Sequence, residues 1–164
     1  MDLRALVSAI EAAIGDPRLG LPEDLFGFIS RMTPLITVDL LIQDDRSRTL
    51  LTWRDDEYFG PGWHVPGGII RYKESAADRI RACARAELGA LVASEPAPLH
   101  MLEHISTQDT RGHHISLLYR CRLLGPPDEG RRAASDPPSS GDWRWHDCCP
   151  PDLLEVQREY ARFF

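Results

Sequence analysis

Three residues of this chain combine a reactive side-chain type with a setting that suggests chemistry. Asp39 lies in the otherwise apolar run from Leu35 to Ile42, where a charged group needs a partner or a function. Arg54 ends a second strand-like run, and its donors could neutralise charge on a departing anionic group. His114 has a side-chain type that suits proton abstraction near neutral pH.

A longer pattern covers Gly68 to Gly89 and reads GIIRYKESAADRIRACARAELG. A glycine turn leads through a short loop to Glu74 and then into a helix that carries Glu87 near its end. Ser75 opens a capping box, the following apolar residues have helical spacing, and the glycine after Leu88 predicts the helix end. The stretch therefore predicts a loop followed by a helix of defined length.

This stretch resembles the Nudix box, G-x5-E-x7-R-E-U-x-E-E-x-G-U, in which U is a bulky aliphatic residue. Gly68, Glu74, Glu87 and Gly89 fall in register with it. The resemblance implies a hydrolase of nucleoside-diphosphate-linked small molecules that uses Mg²⁺ or Mn²⁺. It also implies an α+β fold of the Nudix type, an α/β/α sandwich with a mixed β-sheet.

The departures from the box concern its metal-binding positions. The R-E pair is Ala82-Cys83 here, and the first residue of the E-E pair is Ala86. The positions of Cys83 and Glu87 lie one helical turn apart on one face, where two carboxylates would hold several cations. With Glu87 alone we expect one divalent cation, held by a carboxylate, a backbone carbonyl and the substrate's diphosphate. This arrangement suits a reaction in which the diphosphate is the leaving group.

The box ending A-E-L-G is similar to that of the GDP-mannose mannosyl hydrolases, which attack the anomeric carbon of the sugar. The runs MTPLITVDLLI, LLTWR and GWHVPGG extend this similarity across the first half of the chain. The resemblance implies that Asp39 and Arg54 bind the substrate and that Arg54 also assists catalysis. It further implies that the Gly67 carbonyl and the Glu87 carboxylate bind the metal.

Two adjacent histidines, His113 and His114, open a later predicted strand. In the mannosyl hydrolases the second of these positions is the general base, and the residue before it is a further metal ligand. The resemblance therefore implies His114 as the base and His113 as a metal ligand. Which of the two is the base stays open, and Glu103 and His104 on the preceding strand are rivals.

The resemblance weakens at the positions that would contact the sugar. The arginine that follows the double glycine in the subgroup is Ile69 here, and Arg71 is the candidate substrate-binding replacement. The loop from Ser106 to His113 is short and lacks a tyrosine. Three functions stay open. We rank first the release of sugar from a nucleotide sugar, second cleavage at phosphorus as in Nudix pyrophosphatases, and third binding without turnover.

Periodicity predicts the elements that must position these residues. Two helices, at 3–14 and 22–32, form an N-terminal helical extension over 1–34, ahead of a hydrolase domain over 35–164. Strands are predicted at 35–42 and 49–53 as a hairpin, and at 63–65, 99–105, 115–124 and 142–146. A Pro/Gly/Ser-rich loop at 125–141 is predicted to be exposed and mobile, and a helix is predicted from 151 onward.

Composition excludes several classes of protein. The chain has 164 residues, is 43% hydrophobic and 27% charged, and carries a formal net charge of −6. This composition is typical of a globular domain, and the negative charge argues against nucleic acid as a partner. No stretch has the length and apolarity of a signal peptide or membrane span, and the four cysteines form no C-x-x-C pair. We therefore expect a reduced cytoplasmic protein without a membrane partner, and the resemblance implies a homodimer.

Overall fold

A mixed five-stranded sheet lies at the centre of the computed structural model, which describes residues 2–164. The α-helices are α1 (Leu3–Ile14), α2 (Glu23–Ser30) and α3 (Ala76–Leu88). The strands are β1 (Leu35–Ile42), β2 (Thr49–Arg54), β3 (Gly62–His64), β4 (Gly67–Ile69), β5 (Val92–Ser94), β6 (His100–Ile105), β7 (His113–Leu123) and β8 (Trp143–His146). Short 3-10 helices cover Pro17–Leu19, Glu129–Arg131 and Glu155–Phe163.

The strands form two sheets that share no ladder. In the first sheet the order is β4-β1-β7-β5, and β6 also pairs with β7. The β1–β7 pair is parallel, whereas β1–β4, β5–β7 and β6–β7 are antiparallel. The second sheet is antiparallel and has the order β3-β2-β8. The predicted mixed sheet is thus confirmed, and β4 and β5 are strands that the sequence analysis did not predict.

The predicted β1–β2 hairpin forms only at its turn, and the prediction is wrong for the rest of the two strands. Gln43 and Thr49 form an isolated antiparallel bridge around the turn, and the Asp44 amide donates to the Arg48 carbonyl at 3.1 Å. The strands then separate into different sheets, because β1 pairs along its whole length with β7. Non-local pairing of an apolar strand with another apolar strand therefore replaces the local hairpin.

Helix α3 covers one face of the strands. Its N-cap is Ser75, whose side chain accepts from the amide of Asp78, and its C-cap is Gly89 in the left-handed conformation at φ 61°. Ile80, Ala84 and Leu88 of α3 are buried in the first core cluster. The predicted helix from the box is confirmed, and its buried stripe holds it against the sheet that carries Asp39.

The β layers lie between α3 and the C-terminal segment. The first core cluster packs α3 against both sheets, with Val38, Leu50 and Trp143 among its members. The second cluster joins the other side of the strands to the C-terminal 3-10 helix through Trp63 and Tyr160. The expected α+β sandwich with helices outside a mixed sheet is therefore confirmed.

The N-terminal helices pack less tightly than the main body. Helix α1 contains no buried residue, and α2 buries only Ser30. The exposed face of α1 includes Leu3, Val7 and Ile10. The boundary between an extension at 1–34 and a domain at 35–164 stays a prediction, as does the homodimer.

Within residues 2–164, no helix is both long and apolar enough to cross a membrane.

Candidate active site

A cleft of about 430 Å³ opens where the two sheets, α3 and the C-terminal segment meet. This volume is in the range of small-molecule sites. Its lining residues are drawn from β1, β2, β3, β4, α3 and β7, from four connecting segments and from the C-terminal 3-10 helix. Those used below are Thr37, Asp39, Thr52, Arg54, Phe59, His64, Gly67, Gly68, Glu87, Arg111, His114, Ser116, Ser140 and Gly141.

The β1–β4 ladder directs the peptide groups of Gly67 into the cleft. Leu40 donates to the Pro66 carbonyl at 2.8 Å, and Ile70 donates to the Ile36 carbonyl at 2.9 Å. Hydrogen-bonded pairs alternate in an antiparallel ladder, so Gly67, opposite Asp39, is in a non-hydrogen-bonded pair. Its N–H and C=O therefore point away from β1, and the carbonyl is available to a ligand.

Gly67 cannot carry a side chain without a backbone shift. A Cβ at this position would lie 2.4 Å from Oδ1 of Asp39 and 2.4 Å from the Val38 carbonyl oxygen. Gly68 is similarly close to α3, since a Cβ there would lie 2.9 Å from Sγ of Cys83. The double glycine thus lets β4 pass between β1 and α3, which places its backbone beside Glu87.

Glu87 projects from the last turn of α3 into this space. The Gly67 amide donates to Oε1 at 2.9 Å, and the Thr52 hydroxyl donates to Oε2 at 2.9 Å. Nε2 of His64 lies 3.3 Å from Oε2. Hydrogen bonds from β4 and β2 therefore hold this carboxylate, and His64 of β3 faces it.

Cys83 occupies the position one helical turn before Glu87. It is 5% exposed and packs beneath Gly68. Burial raises the pKa of the Cys83 thiol to about 12, so the sulfur is protonated at neutral pH. Among residues 2–164, no group of three or more His, Cys, Asp or Glu side chains gathers to hold a metal.

Asp39 forms the buried floor of the cleft. Burial raises the pKa of its carboxyl to about 6, and a hydrogen bond from the Tyr160 hydroxyl, 2.7 Å from Oδ2, acts in the opposite direction. On the same face of the sheet, the hydroxyls of Thr37 and Ser116 lie 2.7 Å apart. The floor is thus a polar strip within an apolar sheet.

The structure separates the two adjacent histidines. His114 is level with Leu35 of β1 and lines the cleft, because alternate residues of a strand point to opposite faces. His113 points to the other face, where its Nε2 lies 3.3 Å from Glu103 Oε1. His104 is opposite His114, with ring centroids 4.9 Å apart, but does not line the cleft. Of these four candidates, His114 is the one that the structure brings to the cleft.

Burial lowers the pKa of His114, and the neighbouring His104 adds to the effect. The ring is therefore neutral at pH 7 and can accept a proton. This state is the one that a general base requires.

Two arginines lie at the cleft. The Arg54 guanidinium stacks on Phe59 at 4.7 Å from the ring centroid and pairs with Asp56. The Arg111 guanidinium lies 3.9 Å from the Tyr58 centroid and 4.8 Å from that of Phe26 in α2. The Arg111 donors, and those of Arg54 that Asp56 does not engage, are therefore able to bind an anion.

Arg71 does not join the cleft lining. It is exposed, and its Nη1 donates to the Arg18 carbonyl at 3.2 Å. Glu74 is also structural, because Arg79 of α3 forms a salt bridge with it at 2.7 Å. Neither contact was predicted from the sequence, in which Arg79 lies five residues after Glu74.

The donors around Gly67 suit the divalent cation that the box implies. The cleft offers a free backbone carbonyl at Gly67 and a carboxylate at Glu87. Oxygen donors of this kind bind Mg²⁺ or Mn²⁺ when the substrate supplies phosphate oxygens as further ligands. The residues therefore fit one cation, and His113, which faces Glu103 and does not line the cleft, is not among them.

Sequence reasoning missed His64, Thr52, Arg111 and Tyr160 as parts of the site. His64 lies within the stretch read only as apolar, although strand alternation places it on the side opposite Trp63. Arg111 lies in an irregular loop, and Tyr160 lies 121 residues from Asp39. Local patterns carry no signal for contacts of this kind.

Comparisons with known proteins agree with this geometry. The NUDIX domain family model matches residues 33–162. The low-salt glycan biosynthesis protein Agl8 of Haloferax volcanii is 31% identical over 112 residues, which cover 65% of this chain and 70% of that protein.

Solved structures share the fold. The crystal structure of a MutT NUDIX hydrolase from Burkholderia pseudomallei has a TM-score of 0.60 and 23% identity, covering 79% of this chain and 97% of that one. The crystal structure of a MutT protein from Methanosarcina mazei has a TM-score of 0.62 and 17% identity, covering 80% and 94%.

The family match spans every element from β1 to the C-terminal 3-10 helix, and it includes the box with Gly68 and Glu87. Nudix hydrolases use divalent cations and act on nucleoside-diphosphate-linked substrates. The chain belongs to this family and is a Nudix hydrolase.

Proposed function

We propose that this chain hydrolyses a nucleotide sugar at its anomeric carbon and releases the free sugar and a nucleoside diphosphate. The substrate class is that of the GDP-mannose mannosyl hydrolases. A relative named for glycan biosynthesis supports a sugar-linked nucleotide.

The observation that carries this proposal is the single carboxylate that α3 presents to the cleft. Glu87 is held by the Gly67 amide and the Thr52 hydroxyl, while the position one turn earlier is the buried thiol of Cys83. A site with one carboxylate suits one cation rather than a cluster. A single cation suits stabilisation of a leaving diphosphate better than activation of a nucleophile at phosphorus.

In the proposed reaction, Gly67 and Glu87 would hold Mg²⁺ or Mn²⁺, and the bound ion would neutralise charge on the leaving diphosphate. Arg54 and Arg111 would bind the phosphate oxygens from the other side through their planar donors. They would thereby stabilise the charge that develops as the glycosidic bond breaks.

His114 would take the proton from the attacking water. Its ring is neutral at pH 7 and lines the cleft. Asp39 would accept a hydrogen bond from the substrate at the cleft floor, since its carboxylate already accepts one from Tyr160. The proton and the hydroxyl group of water thus end on His114 and on the sugar carbon, respectively.

A product assay tests the proposal. The purified chain is incubated with Mg²⁺ and a panel of nucleotide sugars that includes GDP-mannose and GDP-glucose, and the products are separated by anion exchange. We expect free sugar and nucleoside diphosphate, with turnover reduced about 100-fold in Glu87→Gln. Formation of nucleoside monophosphate and sugar phosphate would contradict it, and binding without product would indicate a non-catalytic domain.

A further inference from the structure

The imidazole of His64 faces the Glu87 carboxylate from β3. Its Nε2 lies 3.3 Å from Oε2 of Glu87, and its Nδ1 lies 2.9 Å from the backbone carbonyl oxygen of Thr52. The His64 side chain is 14% exposed and that of Glu87 is 23% exposed. The pair therefore meets at the inner part of the cleft, close to the free carbonyl of Gly67.

The Thr52 carbonyl determines which ring nitrogen carries the proton. A carbonyl oxygen only accepts hydrogen bonds, so Nδ1 is the donor and the neutral ring presents a lone pair at Nε2. The Thr52 hydroxyl has a single proton, and it lies closer to Glu87 Oε2, at 2.9 Å, than to Nε2, at 3.3 Å. With the ring neutral, two acceptors, Nε2 and Oε2, thus face each other with no donor between them.

We propose that His64 is a ligand of the catalytic divalent cation, which it binds through Nε2 together with the Glu87 carboxylate and the Gly67 carbonyl. This inference rests on the proposed metal site and adds a nitrogen ligand from β3. A histidine that ligates a metal through one nitrogen commonly donates its other N–H to a backbone carbonyl. His64 has this second contact already formed.

The separation of the two acceptors fits joint coordination. Two neighbouring ligands of an octahedral ion, each about 2.1 Å away from it, lie about 3 Å from each other. The observed 3.3 Å between Nε2 and Oε2 is close to this value. The Gly67 amide and the Thr52 hydroxyl hold the carboxylate in the matching orientation.

His64 would replace a ligand that α3 has lost. In the box, the residue one turn before Glu87 is a second carboxylate, and here it is the buried Cys83. His64 lies on β3, so it would approach the cation beside Glu87 from a different side than a ligand on α3. Since nitrogen ligands suit Mn²⁺ and later transition metals better than Mg²⁺, we expect Mn²⁺ to bind at lower concentration than Mg²⁺.

Pulsed electron paramagnetic resonance of Mn²⁺ bound to the full chain tests this ligand directly. Electron spin echo modulation detects a directly coordinated ¹⁴N, and chain labelled with ¹⁵N-histidine shows whether that nitrogen belongs to a histidine. We expect ¹⁴N modulation in the unmodified chain, its loss in His64→Gln, and an affinity for Mn²⁺ that is about tenfold weaker. His113→Gln is the matched control, because His113 lies on the opposite face of β7.

Modulation that is lost in His64→Gln and kept in His113→Gln would support the assignment. Mn²⁺ binding without histidine modulation in the unmodified chain would overturn it, and this result does not depend on how the variants fold. Modulation that survives in His64→Gln, or failure of Mn²⁺ to bind at all, would also overturn it. The products formed with Mg²⁺ report on the proposed reaction separately.

Discussion

The hydroxyl of Tyr160 donates a 2.7 Å hydrogen bond to Oδ2 of Asp39 and joins the C-terminal 3-10 helix to the floor of the cleft. Burial raises the pKa of Asp39 to about 6, and the bond from Tyr160 opposes this rise. At neutral pH the carboxyl is therefore ionised in a setting that disfavours its charge. We infer that Asp39 serves to bind the substrate and does not stabilise the fold.

Asp39→Asn is predicted to stabilise the fold at pH 7 while removing activity. The pKa in the folded state, about 6, is above the unfolded value of about 3.9, so the folded chain binds more protons between these pH values. The stability of the unmodified chain then falls as pH rises through this window, and the variant avoids a cost on the order of 3 kcal/mol at pH 7.

Urea unfolding at pH 4 and pH 7 with EDTA measures this difference. The advantage of Asp39→Asn should fall to about 0.5 kcal/mol at pH 4, where the folded Asp39 carboxyl is protonated. Asp45→Asn in the exposed turn after β1 is the control and should change little at either pH. A variant that is less stable than the unmodified chain at pH 7 would refute the assignment.

His114→Gln is predicted to lower kcat by about 10²- to 10⁴-fold with a small change in KM, because it removes the proton acceptor. Burial lowers the pKa of His114, so the rate of the unmodified enzyme should begin to fall only below about pH 6.5. Steady-state rates from pH 5 to pH 8 measure this acidic limb, which should be absent in the variant. His113→Gln should keep both the rate and the limb, and the reverse pattern would make His113 the base.

Arg111→Gln is predicted to raise KM by about 10- to 100-fold, because it removes a cation that faces the substrate's diphosphate. Phe26→Ala in α2 should raise KM by a smaller factor, since its ring stacks on the Arg111 guanidinium at 4.8 Å. Arg132→Gln is the matched control, because Arg132 stacks on Trp143 and does not line the cleft. An unchanged KM in Arg111→Gln would remove this residue from the substrate site.

Gly67→Ala is predicted to destabilise the fold by about 3 kcal/mol, because its Cβ would lie 2.4 Å from Asp39 Oδ1 and from the Val38 carbonyl. Gly125→Ala is the control, since a Cβ there meets no atom within 4 Å. Thermal unfolding of the two variants gives the comparison. Equal stability would mean that β4 can shift away from β1 without cost.

The sequence predicted the parts of the fold that depend on local pattern. Helices α1 and α3 and strand β1 follow from apolar spacing and caps, and their observed bounds agree closely with those predicted. Strand β4 was read as a turn, because the glycines that bring it between Asp39 and Cys83 have no side chains to form a pattern.

Long-range pairing could not be predicted in the same way. The loop at 125–141 was predicted to be exposed and mobile, and most of its residues are exposed. Its backbone is nonetheless tied to the domain, because the Asp128 amide donates to the Leu88 carbonyl and the Asp128 carbonyl accepts from Nε1 of Trp143. Ser140 also lines the cleft. These contacts depend on how α3 and β8 pack, which no local window contains.

In the candidate site, too, some residues could be predicted from local sequence patterns and others could not. The box register led to Gly67 and Glu87, which lie together at the cleft, and the resemblance led to Arg54 and His114, which also line it. Arg71 was placed by proximity in sequence alone and lies outside the cleft lining. Strand alternation, counted from Asp39 across to β7, is the step that could have separated His114 from His113.

The most direct test of the central claim asks whether the oxygen from water becomes bonded to the sugar carbon or to phosphorus. The enzyme is allowed to turn over a nucleotide sugar in ¹⁸O-labelled water with Mg²⁺, and both products are analysed by mass spectrometry. Label on the free sugar with unlabelled nucleoside diphosphate is the predicted result, because one cation at Glu87 and a base at His114 suit attack at carbon. Label on a phosphate group would contradict it and would show that the chain cleaves its substrate at phosphorus.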